Sequence, residues 1–236
     1  MTSHHRPIGA FITLAALMTP PALIILMGAG WPDHVQGTRA SDAMPILLEN
    51  GAALNLGGFL FVIANLLWFP AIWLLARTLF DRQNAWVELA IWLAAASLAL
   101  RALWFAVGQT VNPILTELWP GLSPQAQEAM DVVYILLNDT LSTVQEDIGV
   151  NILGGVAGLI LSVQMLRHRT MPIWIAALGI AGHAALILSS AELVGLSAGD
   201  AVALAAPTLS GFWMMFAGIV LMLRGAAAPA RLLAAE

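Results

Sequence analysis

Residues 85–108 read AWVELAIWLAAASLALRALWFAVG, 24 residues whose only charges are Glu88 and Arg101. At 1.5 Å of helical rise per residue such a run spans about 36 Å, enough to cross a hydrocarbon core of about 30 Å. Backbone polar groups inside lipid must be satisfied within the protein, and the run lacks the alternation of a barrel strand, so it reads as a transmembrane helix. The same criterion selects five more spans, at 8–29, 51–76, 148–166, 172–190 and 201–223.

The rest of the chain agrees with this reading. Of its 236 residues 60% are hydrophobic and 10% charged, against roughly 25% charged in a soluble domain. The expectation is one domain: an all-α, polytopic integral membrane bundle of six transmembrane helices. The 9 basic residues are all Arg, against 14 Asp plus Glu, so a basic nucleic-acid face is excluded. With no Cys there is no disulfide, thiolate nucleophile or thiolate metal site. The absence of Lys excludes a retinal Schiff base, and neither a P-loop nor a Gly-x-Ser-x-Gly elbow occurs.

Arginine placement predicts orientation, because basic loops stay cytoplasmic. Arg6, Arg77, Arg82, Arg167, Arg169, Arg224 and Arg231 fall on one side of the six spans. The other side holds Arg39 with Asp33, Asp42, Glu49, Glu117, Glu128, Asp131, Glu192 and Asp200. Both termini are therefore expected in the cytoplasm of a cell whose inner membrane holds the protein, with connections 30–50 and 109–147 facing outward. Trp31 and Trp119 mark the outer interface, Trp86 and Trp174 the inner one. The first span reads as a crossing helix rather than a secretory signal, since Pro20-Pro21 would break a signal core; the same pair predicts a kink near its middle. Gly154 and Gly158 form a small-xxx-small pair, the ordinary mark of close helix packing.

Ser123-Pro124 reads as an N-cap followed by Pro at the first helical position. From there a helical pattern runs to Leu166, about 65 Å and twice what a bilayer needs, so an amphipathic outer helix precedes the fourth span. Leu137, Leu141, Val144, Ile148 and Ile152 form its apolar stripe; Asn138, Ser142, Gln145 and Glu146 lie opposite, with Asp139 beside them. That polar face either meets water or lines a wet cavity open to the outside. Asp147 stands about 100° round the helix from Glu146, so the two acids are not assumed to share a site.

Arg101 interrupts an apolar span, where a basic group costs at least roughly 2.5–3.5 kcal/mol and needs a partner. Glu146 and Asp147 at the start of the fourth span are the expected carboxylates, and Trp104 at i+3 the expected cation–π cover. The alternatives are an ion pair pinning two helices, simple snorkelling, or an anion-binding Arg at the base of an outward pocket. His183 lies at a similar depth in the fifth span. Ile91-Trp92-Leu93-Ala94-Ala95 matches Ile173-Trp174-Ile175-Ala176-Ala177, and the same offset of 82 carries Arg101 onto His183. No second His stands at i+3 or i+4, so no His-based metal motif and no cofactor are expected. Asn55, Asn65 and Ser210 complete the polar interior.

The order of spans, the long connection before the fourth, and the stretches 55–77 and 149–183 resemble a group of small bacterial six-helix membrane proteins classified only as a domain of unknown function. The resemblance implies the fold and carries no site residue.

The candidate ligand-binding residues are thus Arg101, Glu146, Asp147, His183, Asn55 and Gln145. The leading expectation is a non-enzymatic protein that binds or helps move a small polar or amphiphilic ligand, or serves as an accessory subunit to a membrane protein partner. A second is an intramembrane cyclase, isomerase or hydratase acting on an isoprenoid or other lipid, with Glu146 or Asp147 as proton donor; a nearby Arg101 opposes it by favouring the ionised carboxylate. A third is a purely structural subunit.

Overall fold

A computed structural model describes residues 4–31 and 38–233; Asp33 and the side chains of Asp200 and Arg231, used above to orient the chain, lie outside the described residues. The helices are α1 (His5–Leu17), α2 (Thr19–Gly28), α3 (Ala40–Leu79), α4 (Ala85–Leu118), α5 (Pro124–Ser142), α6 (Gly155–His168), α7 (Ile173–Ser189) and α8 (Asp200–Leu233). Thr143–Gly154 joins α5 to α6 as a π-helix. Among the described residues there is no strand, and six helical segments are long and apolar enough to cross a membrane. The chain is an all-α multi-pass membrane protein.

Each span packs against the next, and the last returns to the first. α1 lies against α3 and α8, α3 against α4, α4 against the π segment and α6, α6 against α7, and α7 against α8. The α1–α8 seam is close because two glycines meet there: a Cβ on Gly9 would stand 2.5 Å from the Gly218 carbonyl oxygen. At the end carrying both termini, Ile12, Leu75, Val87, Leu161, Ile175 and Trp213 belong to one apolar core that draws on every span. At the opposite end Leu26, Met44, Leu47, Leu54 and Tyr134 form a second. Between them lies a belt of buried polar side chains: Asn65, Ser97, Arg101, Asn151, His183 and Ser210.

Several boundaries differ from those the hydropathy predicts. The second span begins at Ala40 rather than 51 and runs 40 residues, through Pro45 and Pro70, so most of the expected 30–50 connection is helix. α4 continues past 108 to Leu118, and the expected 109–147 connection is almost wholly helical. Hydropathy ends a span where polar residues begin, but helix formation continues there because α5 and the α3 extension pack together through Tyr134, Met44 and Leu47. The first span breaks near its middle, at the expected kink: α1 stops before Met18, and Pro20-Pro21 occupy the opening turn of α2, where missing N–H groups cost least.

The Ser123 cap forms as expected, its hydroxyl accepting from Ala126 N–H at 3.3 Å. A helix of 45 residues, Pro124–His168, follows, but its middle is not α-helical. In the π segment N–H groups bond five residues back, as Gly155 N–H does to the Val150 carbonyl. Residues five apart therefore share a face, and the α-periodic stripe from Leu137 to Ile152 does not become the buried side. Leu137 and Ile148 are exposed; Gln145, Gly149 and Asn151 are buried. The expected polar face divides, with Gln145 turned inward and Asp139 and Glu146 exposed.

Candidate functional site

Arg101 sits at the middle of α4, whose start is fixed by Asn84 accepting from Trp86 and Val87 N–H groups. It is 9% exposed. Its Nη1 donates to Asn65 Oδ1 on α3 at 2.9 Å. Asn65 is itself oriented, because its Nδ2 donates to the Phe61 carbonyl at 2.8 Å and leaves Oδ1 facing the guanidinium. Trp68, one turn further along α3, lies with its ring centroid 6.0 Å from Cζ, a cation–π distance. Nε is buried with no hydrogen-bond partner. On the remaining side Nη2 faces Gly154 of the π segment, 3.1 Å from where a Cβ would stand.

The expected carboxylate partners are elsewhere. Among the described residues the ion pair formed is Arg77 with Glu88, near the termini-bearing end, its second hydrogen bond at 2.9 Å. Glu146 is exposed, and Asp147 is half-buried and accepts from Asn151 Nδ2 at 3.4 Å. Neither acid meets Arg101, and Trp68 rather than Trp104 covers its charge. Gln145 is buried on the π segment, whereas Asn55 is exposed on α3 and Asn65 takes the place expected for it.

His183 flanks the fourth span from the other side. It is 2% exposed, its Nδ1 is 2.7 Å from the Gly179 carbonyl, and its ring meets Trp213 edge-on at 4.7 Å. That carbonyl can only accept, so Nδ1 carries the proton. The ring lies on Gly158, where a Cβ would fall 2.0 Å from Nε2. Gly154 and Gly158, one turn apart, thus admit Arg101 from α4 and His183 from α7. The two residues related by the offset of 82 are both packed against the fourth span, through glycines four residues apart. The five-residue spacing of Gly149 and Gly154 brings both against Ser97–Arg101, a placement that α-helical spacing would not give.

Toward the end opposite the termini, Trp104, Gly108, Val111 and Asn112 of α4 and Leu137, Asn138 and Leu141 of α5 line a narrow cleft. Trp104 lies one turn along α4 from Arg101, so this cleft descends toward the polar belt; none of the six expected site residues lines it.

The family model for a domain of unknown function, DUF4386, matches residues 8–227, which takes in every span and the whole polar belt. The chain belongs to DUF4386. No curated protein and no solved structure matches it. Chemistry in this DUF4386 chain is therefore argued from its own residues.

Two of those residues were within reach of the sequence. Asn65 lies 12 residues before Arg77 and Arg101 lies 16 after Ala85, across the hairpin joining α3 to α4, whereas Asn55 lies 22 before Arg77. Counting depth from that shared turn pairs Arg101 with Asn65, and Trp68 at i+3 shares the face of Asn65. The π segment left no comparable signal.

Proposed function

We propose that this chain is a non-enzymatic protein of the cell inner membrane, with both termini cytoplasmic, that binds or helps move a small polar or amphiphilic ligand. The ligand site is the part of the polar belt where α3, α4 and the π segment meet. The single observation that carries this reading is Arg101: a guanidinium buried at mid-bundle, oriented by Asn65 and Trp68, with no carboxylate among the described residues against it. An ionisable residue at that depth marks a ligand path more often than a strut, and a strut would be cheaper with a neutral side chain. The π-helix supports the reading, because such departures from α geometry concentrate at functional sites. The arginines at the termini-bearing end support the orientation.

The test is native mass spectrometry with solvent extraction on protein purified in mild detergent, comparing the unmodified chain with Arg101→Ala and Arg101→Lys. A stoichiometric small molecule or lipid that is lost from Arg101→Ala supports the site. A bare monomer in every sample, or a retained protein partner with no small molecule, transfers the function to a structural or accessory role.

A further inference from the structure

We infer that the group bound at this centre is an oxyanion, a carboxylate or a phosphate, taken on the Nε/Nη2 edge of Arg101. This rests on the ligand-binding reading above and deepens it. A guanidinium stays protonated in a protein and carries five N–H donors in a planar fork. Asn65 engages Nη1, and Trp68 lies 6.0 Å from Cζ. These fix the plane of the group without neutralising it, since an amide oxygen and a ring are both uncharged.

Of the four donors left, two form one specific edge. The Nε–H and the nearer Nη2–H point the same way, the parallel pair that meets two oxygens of a carboxylate or phosphate. Nε is buried without an acceptor, and Nη2 faces the bare backbone of Gly154. A side chain at 154 would crowd this edge, with its Cβ already 3.1 Å from Nη2. The acids that would neutralise Arg101 from within the chain are turned elsewhere: Asp147 to Asn151, Glu146 to the exterior. A buried cation with its Nε–H unsatisfied and, among the described residues, no carboxylate against it is selective for an anion over a neutral polar group. The cleft past Asn112 and Asn138 reaches Trp104, one turn along α4 from Arg101. The anion arrives either as the head of an amphiphile or as a free ion, and the two share this recognition.

The experiment uses the full chain in dodecyl maltoside micelles, which carry no oxyanion to occupy the site, and three labelled probes: oleate, methyl oleate and inorganic phosphate. Saturable 1:1 binding of oleate, at least tenfold weaker binding of the uncharged ester, and at least tenfold loss in Arg101→Gln support the inference and identify an amphiphile. Phosphate binding with the same dependence on Arg101 supports it and identifies a free anion. Gly154→Ala keeps the charge but crowds the edge, and a tenfold or greater loss is expected there too; this variant serves if Arg101→Gln fails to fold. Equal binding of oleate and its ester, charge-selective binding that survives Arg101→Gln, or binding of none of the probes overturns the inference. The wider reading survives such a failure if extraction still yields a neutral stoichiometric molecule that Arg101→Ala loses, and falls with it if extraction yields nothing.

Discussion

The imidazole of His183 rests against the backbone of Gly158, so close that a Cβ there would lie 2.0 Å from Nε2 and Cδ2. Neither can shift freely, since His183 is tied to the Gly179 carbonyl at 2.7 Å and packed edge-on to Trp213. This contact and that of Gly154 with Arg101 set the separation of the third, fourth and fifth spans.

Gly158→Ala is therefore expected to lower stability by about 1–3 kcal/mol, the ordinary range for overpacking a well-filled core. Gly51→Ala is the control, because nothing stands within 4 Å of its Cβ position and the change is expected to be neutral or to stabilise by up to about 1 kcal/mol. Thermal unfolding in detergent reads both. Equal midpoints for the two variants would show that the His183 contact imposes no constraint, and His183→Ala added to Gly158→Ala should recover part of the loss.

The two asparagines of α3 should behave differently. Asn65→Ala removes the hydrogen-bond acceptor of Arg101 and leaves a buried charged donor unmet, at a cost of about 1–3 kcal/mol. Asn55→Ala, on an exposed face, is expected to stay within about 0.5 kcal/mol of the unmodified chain. The same melting experiment decides, and an indifferent Asn65→Ala would remove Asn65 as the partner that orients Arg101.

At the end opposite the termini, Asp131 of α5 accepts from both the N–H and the hydroxyl of Ser41, at 2.8 and 3.1 Å. Ser41 stands in the first turn of α3, so a carboxylate from a distant segment caps that helix and favours its positive end. Asp131→Ala should cost about 0.5–2 kcal/mol, as loss of a cap does. Hydrogen exchange should quicken at 41–44 and along the first turns of α5, while α7 is unaffected. Uniform exchange across all three would mean that α5 is held by its apolar contacts alone.

Because the chain has no cysteine, single cysteines report sidedness cleanly. Glu128, in the second turn of α5, and Arg82, on the turn between α3 and α4, are exposed at opposite ends of the bundle. In intact cells a membrane-impermeant maleimide is expected to label Glu128→Cys, and to reach Arg82→Cys only after permeabilisation. The reverse pattern would invert the proposed orientation and place the cleft on the cytoplasmic side.

Much of the architecture was legible in the chain because the quantities that define it are local. A run such as 85–108 is apolar whatever surrounds it, and a Ser123-Pro124 start caps its own helix. Hydropathy fell short where polar residues remain helical, at 40–50 and 109–118, since there a partner helix rather than lipid stabilises the turn. Arg101 stood out at once as a buried charge, and so did the need for a partner.

Which partner it takes is not a local property. Asn65 rather than Asn55, Trp68 rather than Trp104, and no carboxylate among the described residues follow from the relative depth and rotation of α3, α4 and the fourth span. A few residues of register move every side chain on those faces. The π-helix decides the last of these terms: bonding five residues back turns Gly149 and Gly154 together toward α4, at Ser97–Arg101, and leaves Glu146 exposed. Composition and spacing determined that this chain is a six-span membrane bundle with one deep arginine. Only the packing of helices far apart in sequence decided what surrounds that arginine, because the energy that selects one rotation over another resides in contacts between helices and not within any one of them.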